Sequence, residues 1–297
     1  MACRNPEKAN NARNDIIREV PNRNPENLIF IRLDLGDLAT INDFVEEYEQ
    51  NELINGRLDI LIENAGVMSF PTFGTTKDGF ERQFGINHMG HFYLFNKLLP
   101  IIKQNKTRIV SISSFGHYLY CTGKEMRDFL SADDGANKGP TEDIIPYDLI
   151  GLRYYAISKL SNILFTRQIN KLYNKEYGIY ALVLNPGSIW STGLAGEVSP
   201  DCQTIMAMFE YRSLHAMSKG KSMAQGAATT LRCVTISNEE ILNDGGTQQL
   251  LYFDDCMPRG DKMHPEFIHY KNTEVDELLW QYSREAVKAL DLTLNED

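Results

Sequence analysis

Tyr155 and Lys159 stand four residues apart in the segment YAISK, a spacing that sets both side chains on one face of a helix. An ammonium group can there lie beside a phenol and favour its ionised form. A free tyrosine titrates at about 10, too high for efficient proton transfer near neutrality, and a neighbouring cation is the simplest way to lower it. The chemistry on offer is acid/base work at an oxygen, a proton given to a carbonyl or taken from an alcohol. The same spacing also arises by chance as an exposed helix pair, so the surroundings carry the weight. Upstream, the apolar run 108–112 (RIVSI) ends in Ser113-Ser114, and the run 58–62 (LDILI) leads to Asn64-Ala65-Gly66. Downstream, 179–184 (IYALVL) ends in Asn185-Pro186-Gly187. Hydroxyls and small residues beyond the carboxyl ends of strands stand where open α/β sheets bind ligands, and small residues admit close backbone approach.

The elements that must hold these residues are legible as alternating patterns. Short apolar runs at 28–33, 58–62, 108–112, 179–184 and 250–253 are each flanked by turn residues and read as buried parallel strands. Helical spacing of apolar residues marks 39–50, 80–103 and 155–173. Strand and helix alternate, so the fold class expected is α/β, a doubly wound parallel sheet of the Rossmann type. The stretches 122–149 and 193–221 break the rhythm and read as long loops of the kind that border binding sites.

A chain of 297 residues with 42% hydrophobic and 24% charged residues can bury one substantial core. A net charge of -10 argues against nucleic acid as a partner. Five scattered cysteines without C-x-x-C spacing indicate neither a disulfide framework nor zinc and suit a reducing compartment. No apolar run is long enough to span a membrane, and the first residues are polar from position 4, so the expectation is a cytoplasmic location.

The segments LDILIENAGV, FGINHMGHF, RIVSISS, YYAISKLSN and LNPGSIWS occur in an order and spacing that resemble the short-chain dehydrogenase/reductase family, most closely its retinol dehydrogenase and WW-domain oxidoreductase-like members. The resemblance covers nearly the whole chain. It implies a catalytic tetrad of Asn87, Ser114, Tyr155 and Lys159. Tyr155 would exchange the proton with the substrate oxygen, Ser114 would orient that oxygen, Lys159 would lower the tyrosine pKa and hold the nicotinamide ribose, and Asn87 would anchor a relay water. As a plain structural residue, Asn87 would instead mark a helix kink, and the two roles are compatible. For the cofactor the resemblance implies Asp34 near the adenine and Asn64, Ala65 and Gly66 along the adenosine. Pro186, Gly187 and Ile189 would line the nicotinamide, with Ser191 near the phosphates. Glu63 stands where the family has a first asparagine. Arg4 falls where the family reads the adenosine ribose, and a guanidinium suits a 2′-phosphate; NADP is therefore expected, with NAD the alternative.

The family's fold opens with a strand and a T-G-x-x-x-G-x-G turn that binds pyrophosphate. Neither is found in this sequence, whose Met1 falls where the second strand should finish. Residues 1–297 thus read as one N-terminally incomplete domain missing its first strand and glycine-rich loop, with open hydrogen-bonding edges inside the sheet. A membrane anchor in the missing part is compatible with this reading. Gly220-Lys221-Ser222 ends like a phosphate loop, but His215 stands where that loop needs glycine. His88, His91 and His117 read as packed or solvated, not as metal ligands, and 133–143 lacks the glycine of a calcium loop. Asn105-Lys106-Thr107 reads as a turn, and Trp280 as the residue that packs a C-terminal helix on the body. The expected function is NADP-dependent interconversion of an alcohol and a carbonyl on a small hydrophobic substrate, in a chain that can form homo-oligomers. The alternative is a truncated, catalytically silent interaction protein.

Overall fold

The computed structural model describes residues 1–20, 22, 24–68, 72–120, 123–131, 147–189, 194, 220–243, 251–259 and 274–295. Every expected strand forms: β2 Ile31–Arg32 inside its run, β4 Arg108–Ile112 with the expected bounds, and β3 Ile60–Glu63, β5 Ala181–Asn185 and β6 Tyr252–Asp254 each starting two residues late and ending one residue later. A further two-residue strand, β1 Ala2–Cys3, precedes them. The pairs β1-β2, β3-β4, β4-β5 and β5-β6 are all parallel. After β6 the chain turns back through Asp255 and Cys256, at φ 49° and 62°, into the short antiparallel strand β7 Met257–Pro258. Helices fill the intervals: α1 Pro6–Glu19, α2 Ala39–Gln50, α3 Arg82–Phe84, α4 Gly90–Asn105, α5 Gly116–Tyr120, α6 Gly123–Ser131, α7 Tyr147–Ile169, α8 Lys175–Tyr177, α9 Met223–Thr235, α10 Asn238–Asn243 and α11 Glu274–Lys288. The doubly wound parallel sheet expected from the sequence is the fold observed.

The sheet is divided. β1 and β2 make one pair, and the other five strands run in the order β3-β4-β5-β6-β7. Both parts feed a single core, in which Ile31 and Leu33 meet Ile41, Phe44 and Val45 of α2, Phe92 and Phe95 of α4, and Ile109 and Val183 of the larger sheet. Val110, Ile112, Leu182, Leu184 and Phe253 face the opposite way, onto Cys233, Ile236 and Ile241. All of β5 is buried, as a strand covered on both faces must be. On β3, at the end of its sheet, Ile60 and Ile62 are 37% and 43% exposed. Full burial of an isoleucine contributes roughly 1.5–3 kcal/mol, so these two realise only part of it.

The helices that carry the candidate site differ from the sequence expectation in two places. The stretch 80–103 is not one helix: α3 passes through a π-helical turn at Gly85–Met89 before α4 begins. Such turns recur at functional sites. α7 starts at Tyr147, well before the expected 155, because nothing in 147–154 breaks a helix except Gly151, whose deficit of about 1 kcal/mol is easily overridden by packing. Tyr155 therefore sits mid-helix. Of the expected loop 122–149, residues 123–131 form α6 and 147–149 open α7; residues 195–219 of the second expected loop lie outside the described residues. Trp280 of α11 does pack the C-terminal helix down, with ring centroids 5.2 Å from Phe92 and 5.8 Å from Phe165. Arg167 of α7 and Asp276 of α11 add an ion pair of 2.9 Å with both side chains 3% exposed. Among the described residues no helix is long and apolar enough to cross a membrane, and no cluster of three metal-ligating side chains occurs.

Candidate active site

α7 places Tyr155 and Lys159 beneath the carboxyl end of β4. Both are buried. The Ser114 hydroxyl, just past β4, lies on the same side of Gly116 as the Tyr155 ring and accepts from the Gly116 N–H at 3.1 Å. Gly116 is what lets them meet: a Cβ there would fall 3.2 Å from the Tyr155 ring and 3.5 Å from Ser114 Oγ. Lys159 Nζ donates to the Ile112 carbonyl at 2.9 Å, and the Ser113 hydroxyl donates to the Lys159 carbonyl at 2.7 Å, so β4 and α7 are cross-linked at the site. Asn87 lies in the π turn, fully buried. Its Oδ1 accepts from Val67 N at 2.8 Å, and its Nδ2 donates to Val67 O at 2.9 Å and to Ser158 Oγ at 3.0 Å. Its carbonyl bonds His91 Nδ1 at 3.0 Å. A Cβ on Gly66 would fall 3.3 Å from Asn87 Oδ1 and 3.4 Å from Lys159 Nζ, so Gly66 forms the wall between them. The four tetrad candidates and Gly66 thus converge on one pocket of space.

The electrostatics differ from the expectation that lysine simply lowers the tyrosine. Burial pushes the Tyr155 phenol up to about 12, with the nearby Ser114 hydroxyl pulling the other way. Burial likewise pushes Lys159 down to about 8. Nζ sits 5.8 Å from the phenol ring centroid, with one of its three N–H donors on the Ile112 carbonyl. With neither group solvated, each neutral form gains on its charged one.

The described cofactor candidates outside the tetrad follow the carboxyl ends of strands. Asn64 and Ala65 are exposed and Gly66 half-buried after β3. Pro186, Gly187 and Ile189 are half-buried after β5. Asn185 Oδ1 accepts from both Phe115 N and Gly187 N at 3.2 Å, tying that turn to the segment that bears Ser114. Arg4 is exposed after β1 and Asp34 half-buried after β2, in the separate two-stranded sheet; Asp34 Oδ1 accepts from Gly36 N at 3.0 Å. Ser191 lies outside the described residues.

Residues 3–121 match the profile of the short chain dehydrogenase family. Over 292 residues the chain is 31% identical to retinol dehydrogenase 12 of Mus musculus, covering 96% of this chain and 77% of that protein. The chain belongs to the short-chain dehydrogenase/reductase family. Retinol dehydrogenase 14 of Homo sapiens is 31% identical across 98% of this chain and 79% of its own length. The WW domain-containing oxidoreductase of Homo sapiens is 29% identical over 86% of this chain, which spans about half of that longer protein, 55%. Among solved structures, levodione reductase superposes with a TM-score of 0.58 at 16% identity, over 88% of this chain and 86% of its own; at that identity the likeness is one of fold. The chain is accordingly an oxidoreductase of a family that works with NAD or NADP on small alcohol and carbonyl substrates.

Within that family, Glu63 stands out. It is 2% exposed beneath the end of β3, and neither carboxylate oxygen has a well-formed hydrogen bond; the Ser111 hydroxyl, opposite it in the β3-β4 register, approaches without completing one. Burial pushes this acid up to about 8, the Ser111 contact acting weakly the other way. The folded chain therefore holds a proton that the unfolded chain releases near pH 4.5. Stability is full below about pH 4.5 and falls by about 1.4 kcal/mol per pH unit until the folded acid ionises near pH 8. Glu63→Gln, which keeps the shape of the protonated acid, should remove that slope. Urea unfolding midpoints at about pH 5.5 and 8.5 measure it, and equal slopes in the two proteins would refute the assignment.

Gly116 carries no signal in the sequence; Asn185 is legible there only as turn chemistry and Ser158 only as a member of YAISK.

Proposed function

We propose that the site interconverts an alcohol and a carbonyl on a small hydrophobic substrate, of retinoid, steroid or aldehyde type, with NADP and with Tyr155 as acid and base. The observation that carries the reading is the meeting of the Ser114 hydroxyl and the Tyr155 phenol across Gly116, with Lys159 and Asn87 buried behind Gly66. NADP, when bound, supplies or accepts the hydride. Ser114 orients the substrate oxygen, and Tyr155 gives it a proton in reduction and takes one in oxidation. Lys159 would hold the nicotinamide ribose. Asn87 keeps its side chain on Val67 and Ser158, while its carbonyl retains a lone pair beyond the one His91 uses, enough to anchor a relay water. The names of the retinol dehydrogenase relatives support the hydrophobic substrate, and the exposed Arg4 after β1 supports NADP.

The same reading takes 1–297 as a single domain whose pyrophosphate-binding strand and turn are not among these residues, and it favours a cytoplasmic protein. The second reading, a catalytically silent interaction protein, is favoured by one observation, the division of the sheet between β1 and β3. Titration with NADPH, followed by nicotinamide fluorescence, separates them. It is made on the 297-residue chain and on the chain extended ahead of Met1 by a strand and a T-G-x-x-x-G-x-G turn. The extended chain should bind NADPH about tenfold more tightly than NADH, a preference of about 1.4 kcal/mol that Arg4→Glu abolishes. Absence of binding in both forms would leave the silent reading standing.

A further inference from the structure

We infer that Lys221 is a positioning residue that sets the shape of the turn at Pro186, Gly187 and Ser188, working with Asp255; the inference rests on the reading of that turn as the nicotinamide ledge. Lys221 belongs to the Gly220-Lys221-Ser222 segment, immediately before α9. Its Nζ pairs with Asp255 Oδ1 at 2.6 Å and donates to the Pro186 carbonyl at 3.2 Å. Its own backbone N–H donates to the Ser188 carbonyl at 2.8 Å. One residue thus holds the carbonyls on both sides of Gly187. Between those bonds the aliphatic stem lies flat on the glycine: Gly187 has φ 79°, and a Cβ there would come within 2.7 Å of Cε and Nζ. A side chain at 187 would meet both a disfavoured backbone region and the lysine.

From inside the sheet, Asn185 holds the same turn through Gly187 N, and its Nδ2 donates to Asp254 Oδ1 at 3.1 Å. The β6-β7 hairpin therefore contributes two adjacent acids: Asp254 braces Asn185 and Asp255 braces Lys221. Asp255 stands at φ 49° in that hairpin. Its side chain is 52% exposed and that of Lys221 is 17% exposed, so as a mere surface ion pair the contact would add little to stability. What the arrangement fixes is where two carbonyls point, at the place where a planar ring would rest.

Hydrogen–deuterium exchange on the 297-residue chain reads this directly and needs no cofactor. Lys221→Met should speed exchange at the Gly187 amide by about tenfold or more while leaving β3 and β4 amides and the unfolding midpoint nearly unchanged, and Lys221→Arg should restore most of the protection. Asp255→Asn should give a smaller change of the same sign and serves if Lys221→Met fails to fold. Unchanged Gly187 exchange in Lys221→Met, or in Asp255→Asn where it replaces it, overturns the inference. In the extended chain, Lys221→Met should raise the NADPH dissociation constant several-fold. If the unsubstituted chain binds no NADPH, the proposed function falls, while the exchange result still decides the role of Lys221.

Discussion

Tyr155→Phe should lower turnover of a hydrophobic aldehyde or alcohol by about 10²–10⁴-fold, the usual worth of a positioned acid/base, and leave NADPH affinity unchanged. The substitution removes one oxygen and keeps the ring that packs on Gly116, so it separates proton transfer from site assembly. The experiment belongs in the chain extended by the glycine-rich turn, where binding and chemistry can be measured apart. Burial holds the phenol at about 12, so at neutral pH Tyr155 carries its proton and is ready to donate. Reduction should accordingly be the faster direction at pH 7, with oxidation gaining as pH rises. Undiminished activity in Tyr155→Phe would sink the assignment.

The second large effect concerns stability. Arg167→Leu should destabilise the fold by about 3–5 kcal/mol, because it strands Asp276 in the interior between α7 and α11. The carboxyl of Asp276 is already pushed up to about 7 by burial, in spite of the opposing pull of Arg167 and Lys171. Desolvation there outweighs the attraction, which is the condition under which a buried pair adds little net stability. The double variant Arg167→Leu, Asp276→Leu should therefore recover most of the loss. Urea unfolding of the single and double variants measures both, and additive losses in the double variant would contradict the reasoning.

How far the sequence went can be judged element by element. α2 and β4 form with the boundaries their patterns predict. Each joins a clear period to an unambiguous stop. β1 and α1 escaped because neither shows a period: β1 is two residues long, and in α1 only Ala9 is buried, so the helix owes its start to the Asn5 cap and Pro6. The kink expected at Asn87 is present between α3 and α4, with the Asn87 side chain bonded to the Val67 backbone; that it takes the form of a π turn was not legible, because such a turn changes no residue's polarity and only shifts the register by one residue. At the site, Ser114, Tyr155, Lys159 and Gly66 were legible in type and spacing, and Asn87 through the family resemblance. Asn185 and Lys221 were not, because they act on main-chain atoms of a turn, and no pattern of residue types announces a bond to a carbonyl. Lys221 lies in a segment that ends like a phosphate loop, but its bonds go to the carbonyls of Pro186 and Ser188.

The split between β1 and β3 bears on how copies of the chain behave toward one another. A strand end with Ile60 and Ile62 partly bare offers unpaired amides beside apolar side chains, which is the template on which strands from separate molecules add. Parallel sheets also assemble slowly from contacts distant in sequence, leaving such edges open while the rest folds. The 297-residue chain should therefore lose solubility steeply with concentration, and lysine substitutions at Ile60 and Ile62 should restore it without touching the catalytic groups.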